Sequence, residues 1–176
     1  MSNRYRSLTC AALLTSTKPV SGENLLKLLD VEPEKLSEVI EDLKTTLSKA
    51  ELGLVVEEVA GGFRLVVDQS LNPDLAKLLA PSPLPHLSNA SLETLALISY
   101  KQPITRGALE AARGASCSST LDTLQERELI KVVGRKDVVG KPLLYGTTEK
   151  FLLEFGLKSL DSLPKLKEQE KEFLRG

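Results

Sequence analysis

The chain has no tryptophan, a single histidine and two cysteines, and aromatic residues make up only 4% of its 176 residues. We therefore expect a core of Leu, Val, Ile and Ala. A three-ligand metal site of the His/Cys type is out of reach, because the only histidine, His86, stands in a proline-rich linker. Cys10 and Cys117 lie far apart in the chain, and we expect both to stay reduced in a cytoplasmic protein.

Long apolar runs and excess charge of one sign are also missing. No segment approaches the roughly 18 apolar residues that a membrane span needs. The N-terminal segment MSNRYRSLTCAALLTST is too polar for a signal peptide, and it predicts an amphipathic helix. A formal net charge of −1 gives no overall attraction to nucleic acid or to a membrane surface.

Groups of residues that could perform catalysis are absent as well. The only histidine, His86, stands in a proline-rich stretch, and neither cysteine has a base near it in the sequence. Glu57 and Glu58 are neighbours on a predicted strand, so their side chains point to opposite faces. Glu41 and Asp42 are expected on a solvated helix face. The sequence therefore predicts a protein that is not an enzyme and that holds no cofactor or metal.

What is present is a pattern typical of a winged helix. A helical segment at 116–128 and a short strand at 130–133 precede residues 134–148, which read GRKDVVGKPLLYGTT. A helix, a strand, a long polar loop and a returning strand are the parts of that fold. Winged helices bind DNA through the third helix and the wing, or they bind other proteins.

The first half of the chain contains a second copy of this arrangement. TKPVSGENL at 17–25 matches YKQPITRGAL at 100–109, so that four pairs of similar residues stand 84 positions apart: Pro19 and Pro103, Val20 and Ile104, Ser21 and Thr105, Leu25 and Leu109. We predict an α+β fold, mainly helical, made of two tandem winged-helix domains. The predicted bounds are 1–80 for the first domain, 81–87 for a stiff proline-rich linker, 88–158 for the second domain and 159–176 for a charged tail.

Individual elements of both copies can also be predicted. The third helix of the first copy has apolar residues at helical spacing: Leu36, Val39, Ile40, Leu43 and Leu47. A hairpin of 54–59 and 63–67 should follow. In the second copy we expect a first helix over 89–100 with Ser88 as its N-cap, a second helix that begins at Thr105, and a last helix that begins at Thr148.

The charges argue against a third helix that reads DNA. Residues 1–80 carry nine basic and twelve acidic side chains, whereas 81–158 carry ten basic and eight acidic ones. Both predicted third helices are acidic on balance, which opposes contact with the phosphate backbone. Basic side chains concentrate in the second wing, at Arg135, Lys136 and Lys141, beside Asp137. This wing can be a solvated loop, a contact for a partner protein or a contact for phosphate.

Three segments resemble the segregation and condensation protein B family, the accessory subunit of the bacterial SMC–kleisin complex. They are LSNASLETLALISYKQPITRGALEAARG at 87–114, LDTLQERELIKVVGRKDVVGKPLLYGTT at 121–148 and FLLEFGLKSLDSLP at 151–164. The segment ASCSST at 115–120 is less typical of that family. The resemblance implies a homodimer formed through the N-terminal domains, which binds the kleisin, segregation and condensation protein A. SMC would be contacted through the kleisin.

On this basis we expect the second domain to hold the main kleisin-binding surface. Its candidate residues are aromatic or long and cationic: Tyr100, Lys101, Arg135, Lys136, Lys141 and Tyr145. Tyr145 can equally be a core residue, because side chains alternate along a strand. The expected role is in chromosome condensation and segregation during cell division, in the cytoplasm at the nucleoid, with no membrane contact and no sequence-specific DNA binding. The alternative is a winged-helix DNA-binding transcriptional regulator.

Overall fold

A computed structural model of the chain describes residues 2–78 and 87–165. The chain divides into two compact units, Met1–Leu84 with Gly156–Ser159, and Pro85–Phe155 with Leu160–Gly176. The predicted linker, apart from Leu87, and most of the predicted tail lie outside the described residues. The domain bounds given above therefore stay a prediction.

The first unit is a helical cluster closed by a small antiparallel sheet. Its elements in chain order are α1 (Ser2–Thr15), β1 (Val20–Ser21), α2 (Gly22–Leu29), α3 (Pro33–Ala50), β2 (Leu54–Val59) and β3 (Gly62–Val67), with a 3₁₀ turn (Gln69–Leu71) and the short α4 (Asn72–Leu75) after them. The strand order is β1-β3-β2, so the short β1 pairs with the returning strand of the hairpin. Three helices and a sheet with a hairpin make this unit a winged helix.

Helix α3 has the packing that its sequence predicts. It begins at Pro33, which suits the first turn because the missing N–H has no partner there in any case. All five residues at helical spacing, Leu36 to Leu47, are buried. They pack with Leu13, Leu25 and Leu29 from the first two helices. The prediction for this helix is confirmed.

The second unit repeats the order of the first. Its elements are α5 (Asn89–Lys101), β4 (Ile104–Thr105), α6 (Arg106–Arg113), α7 (Ser118–Glu126), β5 (Ile130–Arg135), β6 (Leu143–Thr147), α8 (Glu149–Glu154) and a 3₁₀ turn (Leu160–Ser162). The strand order is β4-β6-β5. The predicted fold class, two tandem winged helices, is confirmed.

The two copies use the same residue types at the start of the second helix. Ser21 caps α2 by accepting a hydrogen bond from the Asn24 N–H at 3.3 Å. Thr105 caps α6 in the same way, from the Ala108 N–H at 3.3 Å. The residue just before each cap, Val20 or Ile104, lies in the short strand that joins the sheet. The repeat seen in the sequence is thus a repeat of one local structure.

Two elements of the second unit, α7 and β5, differ from their predicted bounds by two residues. Helix α7 covers Ser118–Glu126 and not 116–128. Glu128, the last residue of the predicted range, has a positive φ of 59°, which is not a helical conformation. Strand β5 runs on to Arg135 and not only to 133, because a register shift between Val132 and Gly134 lets pairing with β6 continue.

None of the described helices is long and apolar enough to cross a membrane.

Candidate partner-binding surface

The second wing is a hairpin whose loop is closed by its own backbone. The Lys136 N–H donates to the Pro142 carbonyl at 2.9 Å, and the Lys141 N–H donates to the Val138 carbonyl at 2.9 Å. The Arg135 guanidinium adds a bond to the Lys141 carbonyl at 3.2 Å. Arg135, Lys136 and Lys141 are all exposed. Three of the six predicted site residues therefore lie together on one loop.

Exposed valines on the same wing were not predicted from the sequence. Val139 is fully exposed, at 103%, and Val138, Val133 and Val132 are 40–48% exposed. The signal was available in GRKDVVG, where two apolar residues stand inside a polar loop that has no core to face. The wing therefore exposes apolar as well as cationic side chains to solvent.

Tyr100 and Lys101 form a second group, at the C-terminal end of α5, and both are half-buried. The Tyr100 hydroxyl donates to the Pro164 carbonyl at 2.8 Å. A groove of about 640 Å³ lies here, between Tyr100 and Gln102 on one side and Leu160 and Leu163 on the other. Tyr100 thus both positions the segment after α8 and lines an open groove.

Tyr145 is removed from the candidate surface. It lies on β6 opposite Ile104 of β4 and Val132 of β5, and only 7% of it is exposed. A ring buried to this degree packs in the core of the second unit, so it does not reach a partner. Of the two interpretations offered by the sequence, the structure supports the core residue.

The third helices carry acidic groups on their exposed faces. On α3, Glu38 and Glu41 are exposed and pair with Lys35 and Lys44 of the same helix. The hydrogen bond that the Lys35 ammonium donates to the Glu38 carboxylate raises the pKa of Lys35. On α7, Asp122 and Glu126 are exposed. Neither helix offers the outward Arg, Lys, Asn and Gln side chains of a DNA-reading helix in excess.

The start of α7 is held by a side chain of the neighbouring helix. Cys117 stands at the N-cap, and its side chain makes no capping hydrogen bond to the helix. Its N–H instead donates to Glu110 on α6 at 3.0 Å, and the same carboxylate accepts from Arg106 at 2.8 Å. These contacts, with the Cys117 N–H first, lower the pKa of Glu110. The position of the acidic third helix is therefore fixed by α6.

No group of three or more His, Cys, Asp and Glu side chains in 2–78 and 87–165 is arranged to hold a metal ion. Both cysteines are free thiols, Cys10 half-buried and Cys117 buried. What the described residues do present is exposed cations, exposed apolar side chains and an open groove on each unit. These are features of a surface that binds another macromolecule.

The fold defines a tandem winged-helix protein whose third helices carry acidic side chains on their exposed faces. Comparison with known proteins gives its family. Residues 7–166 match the family described as segregation and condensation complex subunit ScpB, and the chain belongs to that family. The match spans both winged helices.

Individual relatives agree with the family match. The chain is 41% identical to segregation and condensation protein B of Moorella thermoacetica over 167 residues, which is 95% of this chain and 85% of that protein. It is 37% identical to the protein of the same name from Clostridium botulinum strain 657, over 97% of this chain and 89% of that protein. Among solved structures, ScpB from Mycobacterium tuberculosis is 27% identical, with 89% of this chain and 98% of that chain covered and a TM-score of 0.42.

Proposed function

We propose that the chain is a non-enzymatic accessory subunit of an SMC–kleisin complex that acts in chromosome condensation and segregation during cell division. Its partner is the kleisin, segregation and condensation protein A, and SMC is reached through the kleisin. The observation that carries this proposal is the family match over 7–166, because that family is described as a complex subunit. The proposal places the chain in the cytoplasm, at the nucleoid.

The first unit is proposed to form the homodimer. A groove of about 620 Å³ lies where α3 ends and β2 begins, and its apolar lining includes Leu47, Leu54 and Val56. Leu52, which is 65% exposed, and Leu71, which is 40% exposed, stand at this groove. Exposed leucines beside an apolar groove are covered when a second copy packs against them, and the burial of apolar area drives the association.

The second unit is proposed to hold the main kleisin contact. The groove beside Tyr100 offers an aromatic ring and the apolar side chains of Leu160 and Leu163. Tyrosine in a groove is a common anchor residue of protein interfaces. Lys101 and the wing cations Arg135, Lys136 and Lys141 complete the proposed surface. Each exposed ion pair adds only about 1 kcal/mol or less, so the apolar contacts must supply most of the affinity.

The test is titration calorimetry of the full chain with the central segment of the kleisin. Tyr100→Ala should weaken binding by about 30-fold, the effect of losing an anchor worth about 2 kcal/mol. Tyr100→Phe is the matched control, because it loses the bond to Pro164 as well but keeps the ring. Equal losses in both variants would show that the ring is not an anchor. Unchanged affinity for Tyr100→Ala would place the kleisin elsewhere.

A further inference from the structure

The first wing, which is the hairpin of β2 and β3, ends in a turn whose backbone donors are not used by the hairpin itself. Val59 pairs with Gly62, so Ala60 and Gly61 alone form the turn, and both have a positive φ, 49° and 72°. A turn of this kind bonds the carbonyl of its first residue to the N–H of its fourth. The N–H groups of Ala60 and Gly61 point away from the hairpin and need other acceptors.

The acceptors come from a segment far along the chain. The Ala60 N–H donates to the Leu157 carbonyl at 2.9 Å, and the Gly61 N–H donates to the Lys158 carbonyl at 3.1 Å. Two successive carbonyls therefore accept from two successive N–H groups. The residues that supply them, Gly156–Ser159, belong to the first unit and form a strap across the tip of its hairpin.

Side chains add a charged contact to the backbone bonds of the strap. The Lys158 ammonium pairs with the Glu58 carboxylate at 2.8 Å, and Leu157 is half-buried. The neighbouring Glu57 is paired within the hairpin, with Arg64 at 2.6 Å. Main-chain bonds combined with selected side-chain contacts are the way in which extended peptides are recognised by other proteins.

The strap begins at a residue whose backbone suits glycine. Gly156 has a positive φ of 62°, which residues with a side chain rarely adopt. A Cβ added there would also stand 3.4 Å from the Glu57 Oε1 atom. The path of the chain towards the tip therefore depends on glycine at this position.

We propose that the tip of the first wing is a binding site for an extended peptide and that the strap of the same chain occupies it. The Ala60 and Gly61 donors select two successive carbonyls, and Glu58 selects a cation on the second of these residues. A segment of the same chain is present at a high effective concentration, so modest contacts keep the site filled. A peptide from another protein reaches the tip only when the strap leaves. The kleisin contact proposed for the second unit uses other residues.

The test is amide hydrogen exchange of the full chain, followed by NMR at Ala60 and Gly61. With the strap closed, both amides should exchange at least about tenfold more slowly than in an unstructured chain, although hairpin tips commonly exchange fast. Lys158→Glu places a second carboxylate beside Glu58 and should speed exchange at both amides by about fivefold. Lys158→Glu together with Glu58→Lys restores opposite charges and should return exchange towards the wild-type rate. Fast exchange in the wild type, or no recovery in the double variant, overturns the proposal.

A charge reversal elsewhere is the matched control for these variants. Lys150→Glu acts on another exposed ion pair, in which Lys150 lies 3.1 Å from Glu128 in the second unit. Exchange at Ala60 and Gly61 should stay at the wild-type rate in this variant. An effect equal to that of Lys158→Glu would show that the two amides respond to net charge and would overturn the strap.

A second pair of variants tests the backbone of the strap without changing any charge. Gly156→Ala should speed exchange at Ala60 and Gly61 several-fold, because alanine is strained at this positive φ. The matched control is Gly114→Ala, which meets a similar φ of 67° at the end of α6, where nothing lies within 4 Å of an added Cβ. It should leave the two amides unchanged. The same effect of both variants would mean that exchange follows overall stability, and the proposal would fail.

Discussion

Glu110 is the side chain on which the start of α7 depends. Its carboxylate accepts the Cys117 N–H and is paired with Arg106, and both contacts are stronger with the charged form of the acid. The pKa of Glu110 is therefore lower in the folded chain than in the unfolded one. The resulting stability is present above the unfolded pKa of about 4.3 and is lost as the pH falls through the lower, folded pKa.

From this linkage we predict a specific change in the pH dependence of stability. Glu110→Gln should lower the melting temperature at neutral pH, and its difference from wild type should shrink as the pH is lowered towards about 3. Thermal unfolding followed by circular dichroism over that range measures the difference. Glu126→Gln, at an exposed position of α7, is the matched control. A difference for Glu110→Gln that grows towards acid pH would contradict the proposed role of the carboxylate.

Gly62 illustrates a constraint that lies in the backbone. A Cβ at this position would stand 2.9 Å from the Val20 carbonyl oxygen and 3.1 Å from the Pro19 Cβ. Gly62→Ala should therefore destabilise the first unit by about 1–3 kcal/mol, the usual cost of overpacking. Urea unfolding measures it. Gly107→Ala is the control, because nothing lies within 4 Å of a Cβ added at this position. Gly107 stands in α6, where alanine should stabilise the helix by up to about 1 kcal/mol. The same sign for both changes would contradict this explanation.

At the scale of the elements, Gln102 connects the end of α5 to β6. Its Oε1 accepts the Thr147 N–H at 2.7 Å, and its Nε2 donates to the Thr147 hydroxyl at 2.9 Å. Gln102→Ala leaves both groups of Thr147 without this partner and should cost about 1–3 kcal/mol. Faster amide exchange at β6 in the variant, compared with Gln125→Ala on the exposed face of α7, checks the prediction. Equal exchange in the two variants would mean that α5 and β6 are held by packing alone.

The elements also show which parts of the structure a sequence can predict. Helix α3 was predictable because five apolar residues at helical spacing require a buried face, and that periodicity is local. The N-cap Ser88 was also predicted from local sequence, and its hydroxyl accepts the Ser91 N–H at 3.2 Å. The start of α7 was not, because its capping group is Glu110 from the preceding helix, seven residues away from Cys117. The extension of β5 depends on a register shift with its partner strand, which no local pattern records.

The candidate surface was predicted only in part. Charged side chains on a loop between strands are expected to be exposed, and Arg135, Lys136 and Lys141 are exposed. Tyr145 could not be assigned, because strand alternation permits either face until its opposite residues are known. The valines at the tip were missed, since apolar residues are normally counted as core. The groove beside Tyr100 could not be predicted, because its other side is formed by residues that stand 60 or more positions further along the chain.

At the scale of the whole molecule, self-association is proposed to depend on the first unit. Leu52→Ser should weaken the dimer, because it removes an exposed apolar side chain from the proposed contact. Light scattering over a range of protein concentrations should then show a shift towards the monomer. Leu92→Ser is the matched control, since Leu92 is exposed on the second unit and should leave the dimer unchanged. A wild-type chain that stays monomeric at every concentration would contradict the dimer.

The central claim is that this tandem winged helix serves as a binding subunit of a kleisin complex and does not regulate transcription by reading a DNA sequence. The most direct measurement mixes the full chain, at near-physiological salt, with the central segment of the kleisin and with a library of DNA duplexes of random sequence. We predict a stable complex with the kleisin that contains two copies of this chain, and no enriched DNA sequence. Nanomolar binding to one preferred sequence, together with no kleisin complex, would contradict the claim and would favour the transcriptional regulator.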